Sequence, residues 1–205
     1  MPQQTPEAME VQQVVSEPPQ HTPALLSSYL KTLRLPAMLR ECDTVARQAA
    51  QQDASYEMFL QQLSELEVQQ RQAASIERRL KQAGFPVVKE LSEFDFAAAP
   101  KLNKKRLLDL AQCRFIDQRS NLVLNGAPGT GKTHLAIALG REACRRGYKV
   151  RFHTASRLAT LYQEAREERQ LLKLERQIQT CDVILVDELG YLPLDRHGAE
   201  HLFGF

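Results

Sequence analysis

Leu122-Val123-Leu124-Asn125-Gly126-Ala127-Pro128-Gly129-Thr130-Gly131-Lys132-Thr133 decides how this chain is read. An apolar run of strand type enters a glycine-rich turn, Gly126 to Thr133, and the turn opens into a helix-forming stretch that continues to Ala143. Glycine at 126, 129 and 131 lets the backbone turn tightly enough for several N–H groups to converge on phosphate oxygens. The N-terminus of the helix that follows adds the positive end of its dipole. Lys132 brings a mobile cation for the outer phosphates, and Thr133 a hydroxyl that can ligate the Mg2+ bridging them. Gly126, Ala127, Pro128, Gly129, Thr130, Gly131, Lys132 and Thr133 are therefore the expected phosphate cradle. A glycine-rich turn without a ligand is the competing reading.

The partner of such a loop is an apolar strand that ends in carboxylates. Val183-Ile184-Leu185-Val186-Asp187-Glu188 has that form, 55 residues after Lys132. Four consecutive apolar residues suit a strand buried on both faces, and ligands of open α/β sheets bind at the C-terminal ends of the strands. Asp187 is expected to hold Mg2+ with Thr133, and Glu188 to polarise the water that attacks the γ-phosphate. An acidic strand end that only caps a turn is the alternative.

Working outward, the pattern alternates strand and helix. A strand is expected at Leu122 to Leu124, a second at Tyr148 to Thr154, a long polar helix from Ser156 to about Gln179, and a third strand at Val183 to Val186. This order predicts an α/β P-loop nucleotide-hydrolase core with a parallel sheet over residues 121–205. Residues 85–120 form an ordered connector with a short lead-in helix near Leu102 to Leu110; its Phe85, Val87, Val88, Leu91, Phe94 and Phe96 are available to dock it. Residues 24–84 are expected to form a small all-α region. Its apolar residues keep helical spacing, with a break at Pro36, an N-cap at Asp53 or Ser55 and a stop at Gly84. Residues 1–23 are rich in Gln, Pro and Glu and are expected to be an unstructured tail.

Composition narrows the class. Net charge is +2 and 43% of residues are hydrophobic, ordinary values for a globular chain. No apolar run approaches the length of a membrane span, and the acidic start has neither the basic nor the apolar part of a signal peptide, so a cytoplasmic location without a membrane partner is expected. Cys42, Cys113, Cys144 and Cys181 are far apart in sequence and show no zinc or disulfide spacing. Two basic clusters, Arg71/Arg78/Arg79/Lys81 and Lys101/Lys104/Lys105/Arg106, read either as solvated helix faces or as phosphate contacts.

The runs Asn121 to Ala136 and Asp187-Glu188-Leu189-Gly190-Tyr191-Leu192-Pro193-Leu194 resemble the IstB-like ATP-binding proteins, helper ATPases of insertion sequences. The resemblance spans roughly Ala24 to Phe205. It implies an AAA+ ATPase related to the helicase loader DnaC and the initiator DnaA, with ATP and Mg2+ as ligands, ATP-dependent homo-oligomers on DNA, and the transposase of the same insertion sequence as partner. Lys132 and Glu188 would be catalytic, and Asp187 would complete the nucleotide and Mg2+ site. Phe115 or Ile116 could pack near adenine, with a core role as the alternative. The relatives also place DNA-facing helices between the second and third strands, where Arg157, Arg166, Arg169, Lys173 and Arg176 stand; there the mixed charges favour a solvated helix.

Seventeen residues follow Glu188, without a further strand ending in a polar sensor residue or an arginine finger. The expectation is a C-terminally truncated core in which the strands at Leu122 and Val183 pair directly or leave buried edges, with a final helix begun near Asp195. Such a chain keeps its phosphate cradle, while hydrolysis depends on elements beyond it. A DnaC-like replicative helicase loader and a truncated, non-hydrolysing remnant are the alternative functions.

Overall fold

The computed structural model describes residues 22–100 and 102–191. The expected tail, apart from Thr22 and Pro23, and the helix expected near Asp195 lie outside the described residues. Backbone contacts divide the chain into two compact units, residues 1–72 and 73–205.

In the first unit, helices α1 (Ala24–Thr32) and α2 (Pro36–Gln51) precede α3 (Tyr56–Ala83), within which the division falls. Pro36 starts α2 because its fixed φ suits the first helical turn and its missing N–H is not needed there. Ser55 rather than Asp53 caps α3: its Oγ accepts from the Met58 N–H at 3.3 Å, while Asp53 takes a left-handed φ of 49°. The core of this unit is Cys42, Val45 and Leu63, flanked by Met38, Phe59 and Leu66. One buried charge stands out. Glu67 is 3% exposed, and its carboxylate accepts from the Ala37 N–H at 2.8 Å, the Met38 N–H at 3.3 Å and Arg71 Nε at 2.9 Å. It thereby satisfies the first amides of α2, which have no partner within their own helix. Burial pushes the Glu67 carboxyl up, but the bonds from Arg71, Met38 and Ala37 outweigh it and hold it below the usual carboxylate range.

The second unit contains the end of α3, which stops at Gly84 with a φ of 73°. It continues through a 3-10 turn (Leu91–Glu93), α4 (Lys104–Leu110), α5 (Arg114–Asp117), α6 (Lys132–Arg145), β1 (Val150–Thr154), α7 (Ala155–Glu167), α8 (Leu171–Gln179) and β2 (Val183–Asp187), ending in a 3-10 turn (Leu189–Tyr191). Strands β1 and β2 are parallel, with Val150 opposite Val183 and Thr154 opposite Asp187. The crossover between them is α7 and α8.

Both faces of β2 are covered, as its unbroken apolar run requires. Val183 and Leu185 pack with Val150, Ala143 and Cys144; Ile184 and Val186 pack with Leu158, Tyr162 and Ile178. The chain is thus an α/β protein with a parallel sheet, as its alternating pattern implied.

Two expectations are corrected. The long helix from Ser156 is two helices, because Arg169 adopts a left-handed φ of 55° and breaks the hydrogen-bond ladder after Glu167. The segment Leu122 to Leu124 is not a strand and does not pair with β2. Among the described residues no free neighbouring strand reaches it, so Val123 is 81% exposed and Leu122 37% exposed. Only Leu124 of the three packs inward, against the cluster of Phe94, Leu107, Leu135 and Leu139. A strand needs a partner ladder as well as apolar residues.

Candidate phosphate-binding site

The loop Gly126 to Thr133 is built by two glycines with left-handed backbones, Gly129 (φ 77°) and Gly131 (φ 86°). Gly131 is the residue immediately before α6, and no side chain caps that helix end. The first amides of α6 are therefore available to an anion. Within the loop, Lys132 Nζ donates to the carbonyls of Gly126 and Ala127, each at 2.8 Å. Thr130 Oγ1 donates to the Ala127 carbonyl at 2.9 Å. The lysine is thus folded over the loop mouth, its charge satisfied by carbonyl dipoles that a phosphate would replace.

Thr133 Oγ1 donates to Asp187 Oδ2 at 2.8 Å. Residues 54 positions apart meet because β2 delivers Asp187 at its C-terminal end and α6 presents Thr133 in its first turn. A hydroxyl and a carboxylate side by side are hard oxygen ligands of the kind Mg2+ takes, so the donor set fits that ion. Among the described residues no three His, Cys, Asp or Glu side chains gather into a separate metal site. Glu188 follows Asp187 with a left-handed φ of 60° and an exposed side chain. A non-glycine residue held there is strained by about 1–3 kcal/mol, and such strain gathers at functional sites. Pro128 and Gly129 stand exposed in the loop.

The connector supports the loop from behind. The Phe94 ring lies against Gly131, edge-on to His134 with centroids 5.3 Å apart, and edge-on to Phe96 at 5.1 Å. His134 Nε2 is 2.9 Å from the Glu90 carbonyl oxygen. The Glu90 carboxylate receives Arg141 Nε at 2.9 Å and Arg145 Nη2 at 2.7 Å, binding the connector along α6. Burial pushes the Glu90 carboxyl up, yet its bonds from Arg145 and Arg141 hold it below the usual range. Phe94 was legible as a docking residue; the Glu90 contacts were not, because their partners lie 51 and 55 residues away. Ile116, one of the two adenine candidates, packs against the core of Ala83, Cys113, Ala143 and Cys144. Phe115 is partly buried.

A family model described as IstB-like ATP binding protein matches residues 28–205. The chain is 39% identical over 178 residues to a protein named as ATP-binding in insertion sequence IS5376 of Geobacillus stearothermophilus, an alignment covering 87% of this chain and 71% of that one. It is 36% identical over 178 residues to the corresponding IS21 protein of Pseudomonas aeruginosa, covering 87% and 67%. A Mycobacterium tuberculosis protein, also named as ATP-binding in an insertion sequence, is 35% identical over 179 residues, covering 87% and 70%. The chain belongs to the family of IstB-like ATP binding proteins.

Proposed function

We propose that this protein is an ATP-dependent helper of DNA transposition, which assembles on DNA as a homo-oligomer and regulates the transposase of its insertion sequence. The observation that carries the nucleotide part is the Thr133–Asp187 hydrogen bond, which joins the phosphate loop to the strand end that must complete it. Family membership and the insertion-sequence names of the relatives support the transposition part.

In this reading the Gly126 to Thr133 backbone receives the phosphates of ATP on its amides. Lys132 Nζ exchanges the Gly126 and Ala127 carbonyls for phosphate oxygens, so the ammonium trades two carbonyl dipoles for anionic acceptors. Thr133 and Asp187 would hold Mg2+, which when bound neutralises charge on the outer phosphates. The Asp187 carboxylate, which here accepts the Thr133 hydroxyl, would offer its oxygens to that ion in place of the hydrogen bond. Glu188 is the proposed general base: it orients water and takes its proton as the γ-phosphate is attacked.

Residues 24–84 are the proposed region for DNA or partner contact. Arg166, Arg169, Lys173 and Arg176 on the α7–α8 segment form no ion pair among the described residues; the one bridge in that segment joins Arg157 to Glu164 at 3.6 Å. The segment is nearly balanced in charge, with Glu164, Glu167, Glu168 and Glu175 among these cations, so phosphate contact there is the lesser reading beside a solvated helix face. Arg166→Ala/Arg169→Ala with unchanged duplex affinity and salt dependence would remove this surface from the proposal.

Co-purification tests the partner. Recovery of the transposase encoded beside this protein supports the reading, and recovery of a replicative helicase in its place overturns it in favour of a loader.

A further inference from the structure

We propose that a pocket formed by Arg79, Lys149 and Arg151 is a binding site for the phosphodiester backbone of duplex DNA. This deepens the reading of the protein as a DNA-acting helper and rests on it.

The pocket has a volume of about 220 Å3, and its remaining walls are Gln82, Val150, Thr180 and Cys181. It opens at the start of β1 and just before β2, whereas Thr133 meets Asp187 at the other end of the same strands. Four residue steps along a strand separate the two ends, about 13 Å. The phosphates of a nucleotide seated on the Gly126 to Thr133 loop therefore cannot be its ligand. The volume is below that of pockets that enclose a drug-sized molecule, roughly 300–1,000 Å3, and suits a small anionic group instead.

The charge in its wall is one-signed. No carboxylate lines the pocket, and among the described residues Arg79, Lys149 and Arg151 form no salt bridge. Among the other described residues the half-buried arginines are matched: Arg141 and Arg145 share Glu90. Asp182, the carboxylate nearest in sequence, is already engaged, accepting from the Lys149 backbone N–H at 2.7 Å. That bond also fixes the pocket floor, since the Asp182 and Val183 amides return to the Lys149 carbonyl at 2.9 and 3.2 Å. Arg151 Nη1 donates to the Gln82 carbonyl, which anchors one corner of its guanidinium and leaves the other N–H groups of the fork.

Three cations held together without a counter-charge repel one another, and an anion between them removes that cost. Duplex DNA is favoured over a free anion by what surrounds the pocket. Arg78 and Lys81, exposed on the last turns of α3 beside Arg79, also form no salt bridge among the described residues, and with Arg79 they outnumber the exposed Glu77, so the surface stays net positive past the pocket, as a repeating polyanion would use it. Contacts from these cations to phosphate oxygens give affinity without sequence preference.

The test is duplex binding by the full chain with ATP present, followed by fluorescence anisotropy between roughly 50 and 200 mM salt. Arg79→Gln/Lys149→Gln leaves the Arg151–Gln82 bond in place and should bind about 10-fold more weakly at the lowest salt, with a log–log salt slope shallower by about 1–2. The charge-preserving Arg79→Lys/Lys149→Arg should stay within about 2-fold of wild type with its slope unchanged. ATP affinity should be equal in all three. Equal DNA binding by the neutralised variant overturns the pocket and leaves the transposition reading intact, as does an equal loss in the charge-preserving variant. Inorganic phosphate that displaces DNA at equimolar phosphate overturns DNA as the ligand. A wild-type chain that binds ATP but no duplex overturns the DNA reading and the pocket with it.

Discussion

A Cβ on Gly131 would lie 2.7 Å from Cε2 of Phe94, so the aromatic ring of the connector occupies the space that a side chain at the loop's last glycine would need. The connector is thereby part of the phosphate loop's wall. Gly131 also has a φ of 86°, a conformation that costs an L-residue about 1–2 kcal/mol.

Gly131→Ala should therefore weaken ATP binding by at least about 10-fold and lower stability by about 1–3 kcal/mol. Adding Phe94→Ala should recover part of the binding loss by removing the clash while the backbone strain stays. Calorimetric titration with ATP checks both. Equal losses in the single and double variants would show that the ring does not shape the loop.

Gly140 tests how α6 is seated on β2. Its Cβ would meet Leu185 Cδ1 at 2.5 Å and the Phe85 ring at 3.0 Å. Gly140→Ala should cost about 1–3 kcal/mol through overpacking, read as a lower midpoint in urea. Leu185→Ala should cost less in that background than in the wild type, since it opens the space the new methyl needs.

Glu67 makes the acid stability of the first unit depend on one carboxylate. Its carboxyl is held below the usual range in the folded chain, so the stabilisation is complete above the unfolded-state titration and is lost as pH falls through the folded value. Glu67→Gln removes the charge, so its stability should vary less with pH below about 4 than that of wild type. Glu67→Ala leaves the Ala37 and Met38 amides and Arg71 without their shared acceptor, for a loss of about 1–3 kcal/mol at neutral pH. Denaturant titrations at several pH values distinguish the two effects.

Much of this architecture was legible in the residues. Pro36, Ser55 and Gly84 mark helix ends by local chemistry, and each acts where a chain reader would place it. Asp187 could be placed beside Thr133 because a buried apolar strand ending in a carboxylate has few other positions in a parallel sheet. What depended on distant partners was not legible. Leu122 to Leu124 has strand composition but no ladder, and the α7–α8 break turns on the backbone of one arginine in a polar stretch that periodicity reads as continuous helix. The links from Glu90 to Arg141 and Arg145, and from Glu67 to the first amides of α2, join groups 29 to 55 residues apart.

Glu90 should matter to the loop without touching the nucleotide. Glu90→Gln keeps the backbone carbonyl that meets His134 but loses the charge shared by Arg141 and Arg145. A stability loss of about 1–3 kcal/mol is expected, with ATP affinity falling less than in Gly131→Ala. Thermal unfolding beside ATP titration gives both quantities, and a Glu90→Gln chain as stable as wild type would count against the connector as a fixed strap.

The proposed nucleotide site is built from Lys132, Thr133 and Asp187 of this chain alone. ATP titration of the purified protein, with and without Mg2+, against Lys132→Ala and Asp187→Asn tests it most directly. Wild type should bind ATP, Lys132→Ala should bind at least about 10-fold more weakly, and Asp187→Asn should lose mainly the Mg2+-dependent part of the affinity. Wild-type affinity in Lys132→Ala, or no ATP binding by the wild-type chain, would contradict the proposed site.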